Sequence, residues 1–411
     1  MQYIRPVLLI VVFSGLPLLG VFIPEYQTHD NLRLEGFYVA DLIHCLITVI
    51  GSVLCVYYCK NKKLWWGEYK DLNYEKTMKN IMTICIILTI LTFLTYGKAI
   101  LSGTHRGVVR TSVGGLGWLS TFSQGYGMRS VLALSTIYYF YLSINRSAIV
   151  KQYVIILCCG LFGGIMSGGK ANIIFAMLPV LIQSGEFLNY KKIAVIAVFG
   201  VLSVFIIGMA QMNMSFEESI IYNIYRATDL ASYGSMCMWD KYPNGAEQPY
   251  LVILTSSLGE NITSFLTGID RHSVDFLKYS FSRAITYEYY NNYLGAVDGT
   301  VNLTVTPLGE GVFWFGRNFY FLVSLIGVLI FKFIVNGFYS SAARGKIVRN
   351  VVFTNFLITF ILWLTTSQGF VLSLFIGMTA LVYLFLVVIS LKFMLKRAKI
   401  VKVKDLKDNK E

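Results

Sequence analysis

Runs of roughly 18 or more apolar residues recur along this chain, the length an α-helix needs to cross the hydrocarbon core of a bilayer. In lipid every backbone N–H and C=O must be satisfied by the protein itself, so such runs can only be helices or strands of a closed barrel. The runs are continuous and do not alternate with polar residues, which excludes the barrel. Only 14% of the residues are charged, against about 25% in soluble domains. The chain reads as an all-α polytopic integral membrane protein.

Hydropathy places about ten spans along the chain. They run over Val7–Ile23, Phe37–Cys59, Asn80–Leu101, Leu119–Leu142, Tyr153–Gly168, Ala171–Ser184, Ile193–Ala210, Gly311–Val335, Val351–Thr366 and Gly369–Leu391. Four regions result: spans one to seven over 1–210, a long polar loop over 211–310, spans eight to ten over 311–391, and a basic tail over 392–411. The segment Lys60–Lys79 holds six lysines, and the tail is also strongly basic. The positive-inside rule puts both in the cytoplasm, with both chain termini, and leaves the long loop outside. The net charge of +13 is then explained by topogenesis, and no nucleic-acid partner is implied. The first run follows Arg5 without a small-residue cleavage site and reads as an uncleaved span. Six of the seven cysteines lie in spans, so the long loop has no internal disulfide. The tail is expected to be partly disordered.

A long loop between spans is rarely only a connector, and this one is taken as the functional centre. Residues 216–238 carry apolar positions at helical spacing, which predicts a helix that either lies on the membrane or belongs to a small external domain. Charges in or beside the spans are costly and concentrate toward the outer side. Asp41 and His44 share one face of the second span. Lys98, Arg129, Lys170 and Arg317 lie in or at the ends of spans, and Arg129 has no acidic residue near it along the chain. Arg106 and Arg110 add charge in an outer loop, and Arg226, Arg271 and Arg283 add it in the long loop. Guanidinium groups bind phosphate bidentately, so an anionic phosphate ligand would offset this placement, as would ion pairs within the protein. No Walker loop, dinucleotide fingerprint, nucleophile elbow or zinc spacing occurs, and the four histidines are scattered. No metal or other cofactor is expected.

Two stretches carry a family resemblance. GGIMSGGKANIIFAMLPVLI (Gly163–Ile182) resembles the paired spans and small-small-basic turn of the Wzy-type oligosaccharide repeat-unit polymerases, the O-antigen polymerases of bacterial envelopes. Here Lys170 stands where that family usually has arginine, which keeps the charge but not the bidentate fork. TPLGEGVFWFGRNFYFLVSLIGVLI (Thr306–Ile330) is similar to the Gly-Glu-aromatic-x-x-Gly exit from that family's large periplasmic loop. The resemblance implies a GT-C-like membrane glycosyltransferase architecture in the bacterial inner membrane. It implies a metal-independent enzyme that passes a growing glycan from polyprenyl pyrophosphate to the next lipid-linked repeat unit. Membrane lipids, a chain-length regulator and a flippase of the same pathway are the implied partners. Cations must then meet the leaving pyrophosphate, and a base must take the acceptor hydroxyl proton. Arg129, Lys170, Arg226 and Arg271, with Arg106, Arg283 and Arg317, are the expected cations. Glu310 is the expected base or, alternatively, a cap of the eighth span, and His272, Glu260 and Asp270 are the other bases to weigh. An O-antigen ligase and a lipid-linked oligosaccharide flippase are the competing functions.

Overall fold

The computed structural model describes residues 4–22, 32–59, 65–97, 117–166, 170–187, 214–299, 301–367 and 369–403, with scattered positions between 189 and 209. Helix α1 (Ile4–Gly15) gives way to a 3₁₀ turn at Pro17–Phe22, where Pro17 has no N–H to continue the ladder. Helix α2 (Phe37–Cys59) coincides with the second expected span. Strand β1 (Tyr69–Asp71) follows, then α3 (Tyr74–Thr92), extended by a π turn over Phe93–Gly97. The fourth expected span is α4 (Gly117–Phe122) and α5 (Met128–Ile137), joined by a π turn at Ser123–Gly127 and continued by another at Tyr138–Leu142. Helices α6 (Val150–Met166) and α7 (Lys170–Gln183) come next. The seventh expected span falls largely outside the described residues.

The long loop is a cap of short helices. These are α8 (Phe216–Ala227), α9 (Asp229–Lys241), α10 (Leu251–Leu258), α11 (Glu260–Thr267), α12 (Phe281–Tyr289) and α13 (Tyr293–Asp298). The helix predicted over 216–238 is thus two helices, broken at Thr228 (φ −114°, ψ −82°). Ser215 and Glu218 form a capping box that starts the first. The second buries Met236, Cys237, Met238 and Trp239, and Trp239 meets Phe37 of α2 edge-on at 5.9 Å. The cap is therefore packed onto the ends of the membrane helices.

After the cap come α14 (Pro307–Phe319), α15 (Phe321–Ala343), α16 (Ile347–Thr365), α17 (Ser373–Ile376), α18 (Met378–Met394) and strand β2 (Ile400–Lys402). Two expected spans need correction. Residues 311–319 belong to α14, which breaks at Gly316 (φ +71°, ψ 178°), and the long apolar helix is α15. In the tenth expected span the long helix begins at Met378, because the extended backbone of Gly377 (φ −62°, ψ 154°) interrupts the run.

Among the described residues six helical stretches are long and apolar enough to cross a membrane: Phe37–Cys59, Tyr74–Gly97, Ser147–Met166, Phe321–Ala343, Ile347–Thr365 and Met378–Arg397. Leu46, Ile50 and Leu54 on α2, and Leu381, Phe385 and Ile389 on α18, expose apolar stripes outward, as helices facing lipid do. Inward, polar pairs fasten helix to helix. His44 Nδ1 is 2.5 Å from Ser324 Oγ between α2 and α15. Asn355 Nδ2 donates to Ser130 Oγ at 2.9 Å between α16 and α5. Gln183 Nε2 donates to Asn350 Oδ1 at 2.7 Å and to Thr354 Oγ1 at 2.6 Å between α7 and α16.

One end of the helical body is closed by β1 pairing antiparallel with β2, Tyr69 opposite Lys402 and Asp71 opposite Ile400. The basic tail is therefore ordered as far as this strand, and residues 404–411 lie outside the described residues. The centre of this end is the fully buried Asp71. It accepts from the backbone N–H groups of Asn73 (2.9 Å) and Lys399 (2.7 Å), from Thr77 Oγ1 (2.9 Å) and from Tyr138 OH (3.1 Å). One carboxylate thus joins the start of α3, the end of the fourth apolar segment and the tail. Leaving a buried donor without its acceptor costs about 1–3 kcal/mol. Asp71→Ala is therefore expected to lower the melting midpoint of the detergent-solubilised protein and to free the β1–β2 pairing. Faster hydrogen exchange over 69–77 and 399–402 checks the second effect, and Asp71→Asn should fall between wild type and Asp71→Ala.

Candidate functional site

The cap is organised around Arg283 on α12, which is 1% exposed. Its Nε donates to Ala296 O at 2.8 Å, its Nη2 to Arg271 O at 2.7 Å and to Val297 O, and its Nη1 lies 3.3 Å from Glu260 Oε1. A planar fork with five donors can hold three chain segments at once, which an ammonium cannot do. Gly299, at φ +69°, turns the chain where a Cβ would lie 3.6 Å from the guanidinium carbon. Arg283 is expected from sequence to bind pyrophosphate. Its Nε and Nη2 are instead spent on main-chain carbonyls and its Nη1 faces Glu260, so it acts as a scaffold.

That scaffold supports a partly exposed polar chain. Arg271 Nε donates to His272 Nε2 at 2.8 Å, and Arg271 Nη1 donates to Asn261 Oδ1 at 2.7 Å. His272 Nδ1 is 3.6 Å from Asp298 Oδ1, and the His272 backbone N–H donates to Asp270 Oδ1 at 3.0 Å. Because Nε2 accepts from Arg271, the neutral imidazole carries its proton on Nδ1, toward Asp298. The side chains of His272 and Asp298 are 41% and 55% exposed, so this chain is open to a ligand. Hydrogen bonds to charged groups contribute about 1.5–3 kcal/mol each. Arg283→Lys is accordingly expected to destabilise the cap by at least about 1.5 kcal/mol. The check is faster hydrogen exchange over 260–299 and an unchanged rate in α16.

Glu310 stands in the first turn of α14 and is fully buried. Its Oε1 accepts from the Val371 N–H at 2.7 Å, and its Oε2 accepts from Trp363 Nε1 at 2.8 Å and from Ser367 Oγ. Ser367 N also donates to Val305 O at 2.6 Å, in an isolated bridge. The carboxyl does not cap its own helix. It clamps the cap's exit to the end of α16 and to the turn before α17, and neither oxygen reaches the surface. Burial pushes this carboxyl up to about 7, against the three donors, which pull it down. A carboxyl raised above its ordinary 4.5 stabilises the fold fully below that value, and the contribution is lost as pH rises through about 7. The melting midpoint should therefore fall between about pH 5 and about pH 8. Glu310→Gln should remove this step while melting lower at acid pH, since its amide must set an N–H₂ against a donor.

Arg129 is half-buried on α5, with its guanidinium carbon 5.8 Å from the centre of the Tyr126 ring. Tyr126 OH is 3.5 Å from Thr359 Oγ1, and Tyr126 and Phe122 both pack against Tyr383 of α18. Asn355, Thr359 and Trp363 follow each other at four-residue intervals on one face of α16. Their partners are Ser130, Tyr126 and Glu310, so one helix face links the surroundings of Arg129 to the clamp at Glu310.

The structure thus brings Arg271, His272, Arg283, Glu260 and Asp270 together, adds Asp298, and keeps Glu310 and Arg129 on a separate face along α16. Arg317 belongs to neither group: its Nε donates to Trp239 O at 2.7 Å, and its guanidinium carbon lies 5.3 Å from that ring's centre. Arg106, with Lys98 and Arg110, lies outside the described residues, as do the side chains of Lys170 and Arg226. Asp298 is missed from sequence because Asp-Gly reads first as a turn. Asp71 is missed because it stands among topogenic lysines. No family model, curated protein or solved structure matches this chain.

Proposed function

We propose that this protein polymerises lipid-linked oligosaccharide repeat units at the outer face of a bacterial inner membrane. The observation that carries the reading is the half-exposed chain Asp298–His272–Arg271, held by a buried arginine in a cap on the ends of apolar helices. A substrate that is part lipid, part pyrophosphate and part sugar needs such a junction. The two stretches that resemble Wzy-type polymerases, Gly163–Ile182 and Thr306–Ile330, support the same reading. It entails about ten spans, both termini in the cytoplasm and a GT-C-like arrangement.

In this reaction the acceptor hydroxyl attacks the anomeric carbon of the donor sugar. The bond from that carbon to the pyrophosphate oxygen breaks, and lipid pyrophosphate leaves with the electron pair. Arg271 turns from His272 onto the pyrophosphate, which releases the Nε2 lone pair to take the hydroxyl proton. Asp298, 3.6 Å from Nδ1, stabilises by its charge the imidazolium that forms. Arg129, Lys170, Arg226 and Arg106 supply further positive charge along the path of the lipid phosphate. Glu310 is a positioning residue in this scheme, because its oxygens already accept from Trp363, Ser367 and Val371. That reverses the order of bases expected from sequence.

The test is the surface glycan of a deletion strain complemented with single variants, with protein levels matched by immunoblot. Deletion should leave single-repeat glycans. Absence of surface glycan would mean a flippase, and unattached polymer a ligase. Losing a general base costs about 10²–10⁴-fold in rate, so His272→Ala should collapse the ladder toward one repeat. A full ladder from His272→Ala beside a collapsed one from stable Glu310→Gln would return the base to Glu310. Full ladders from both would remove both assignments.

A further inference from the structure

Helix α11 is turned inside out. Ile262, Phe265 and Leu266 follow the i, i+3, i+4 spacing of a single helix face. They are 44%, 85% and 61% exposed, while Thr263 on the other side is fully buried. The buried side is satisfied locally: Thr263 Oγ1 donates to Gly259 O at 2.9 Å, Thr267 Oγ1 to Thr263 O at 2.8 Å and Ser264 Oγ to Ile269 O at 2.7 Å. A helix bathed in water puts its apolar stripe inward, and a contiguous stripe turned outward marks a surface that meets something apolar.

The position of α11 identifies what it meets. Gly259, the residue before it, faces Thr379 Oγ1 in the first turn of α18, where a Cβ would lie 3.9 Å away. Its neighbour α10 is fastened to α17, just before α18, with Ser256 Oγ 3.1 Å and Ser257 Oγ 3.3 Å from Ser373 Oγ. The outward face of α18 continues with Met378, Leu381, Val382 and Phe385, all exposed and apolar. The apolar face of α11 therefore begins where the lipid-facing surface of a long apolar helix ends. Arg271 follows within two residues of Ile269, with Asp270, His272, Asp275 and Lys278 around it, so a mixed polar rim borders this apolar surface.

We infer that α11 lies in the outer leaflet of the bilayer, with Ile262, Phe265 and Leu266 among the acyl chains of phospholipids and Arg271 and His272 at headgroup depth. This placement holds whatever reaction the protein performs. It gives any phosphate ester anchored in that leaflet a route to Arg271 along the membrane, without passage through water.

The full-length protein in nanodiscs of phosphatidylethanolamine and phosphatidylglycerol tests this placement. The probe is a phospholipid with a diazirine near the carbonyl end of one acyl chain, and carbene adducts are mapped by mass spectrometry. Adducts on 260–269 are expected within a few-fold of those on 378–385. Doubly substituted protein, Phe265→Asp with Leu266→Asp, should lose at least about tenfold of the adducts on 260–269 and keep those on 378–385. The unsubstituted protein suffices if that variant does not fold. Labelled 378–385 beside unlabelled 260–269 would overturn the placement. A water-soluble diazirine then separates a solvent-facing helix, which it labels, from one covered by another protein, which it does not. Glycan length is not measured, so failure here leaves the proposed reaction to its own test.

Discussion

A backbone group that leaves its helix inside a bilayer finds no water, so each interruption in this chain must come with a substitute partner. At Gly316 the loop 243–246 supplies both sides of the break: Pro243 O accepts from Arg317 N at 2.9 Å, and Ala246 N donates to Phe313 O at 2.8 Å. Around the π turns, hydroxyls take up carbonyls, Thr95 on Leu91 O, Ser123 on Leu119 O and Ser130 on Tyr126 O. Where the fourth apolar segment ends, Lys70 Nζ donates to Tyr141 O at 2.7 Å and Ser143 O at 3.2 Å. At these irregular places side chains and neighbouring loops thus take up main-chain groups. π turns are frequent at functional sites because they re-aim a helix face, and the one at Ser123–Gly127 comes just before Arg129.

The same constraint accounts for two of the buried carboxylates. Asp71 and Glu310 sit at opposite ends of the helical body, and each accepts only from the protein's own N–H and O–H groups. A buried carboxylate with fewer donors would be a liability. With this many it ties segments distant in sequence, Asp71 to Lys399 and Glu310 to Val371. Neither role needs a substrate, which is why burial and occupancy outweigh charge type in assigning them.

The arginines divide by the same reasoning. Arg283 and Arg317 spend donors on main-chain carbonyls and shape the cap. Arg271 bonds to two exposed side chains, His272 and Asn261, which a ligand can displace at small cost. Its backbone carbonyl is held by Arg283, so the scaffold fixes where the exposed guanidinium begins. An inside-out α11 beside it gives that guanidinium a place at the bilayer surface.

By itself the sequence determined that this is an all-helical membrane protein, because only a helix satisfies the backbone of a long apolar run. The bounds of α2, α6 and α16 were legible to within a few residues for that reason. It also marked the long polar stretch and the charged residues in and beside the spans. Only the tertiary structure decided what those charges do. Arg271 and Arg283 look alike in sequence, and one is partly exposed while the other is enclosed by Ala296, Val297 and Glu260. Glu310 stands in a family-like motif, yet its partners lie more than fifty residues away in Trp363, Ser367 and Val371. Hydrogen bonds that join distant segments leave no periodic signal in a sequence, whereas the water-to-lipid transfer of a helix is written in every run of residues that makes it.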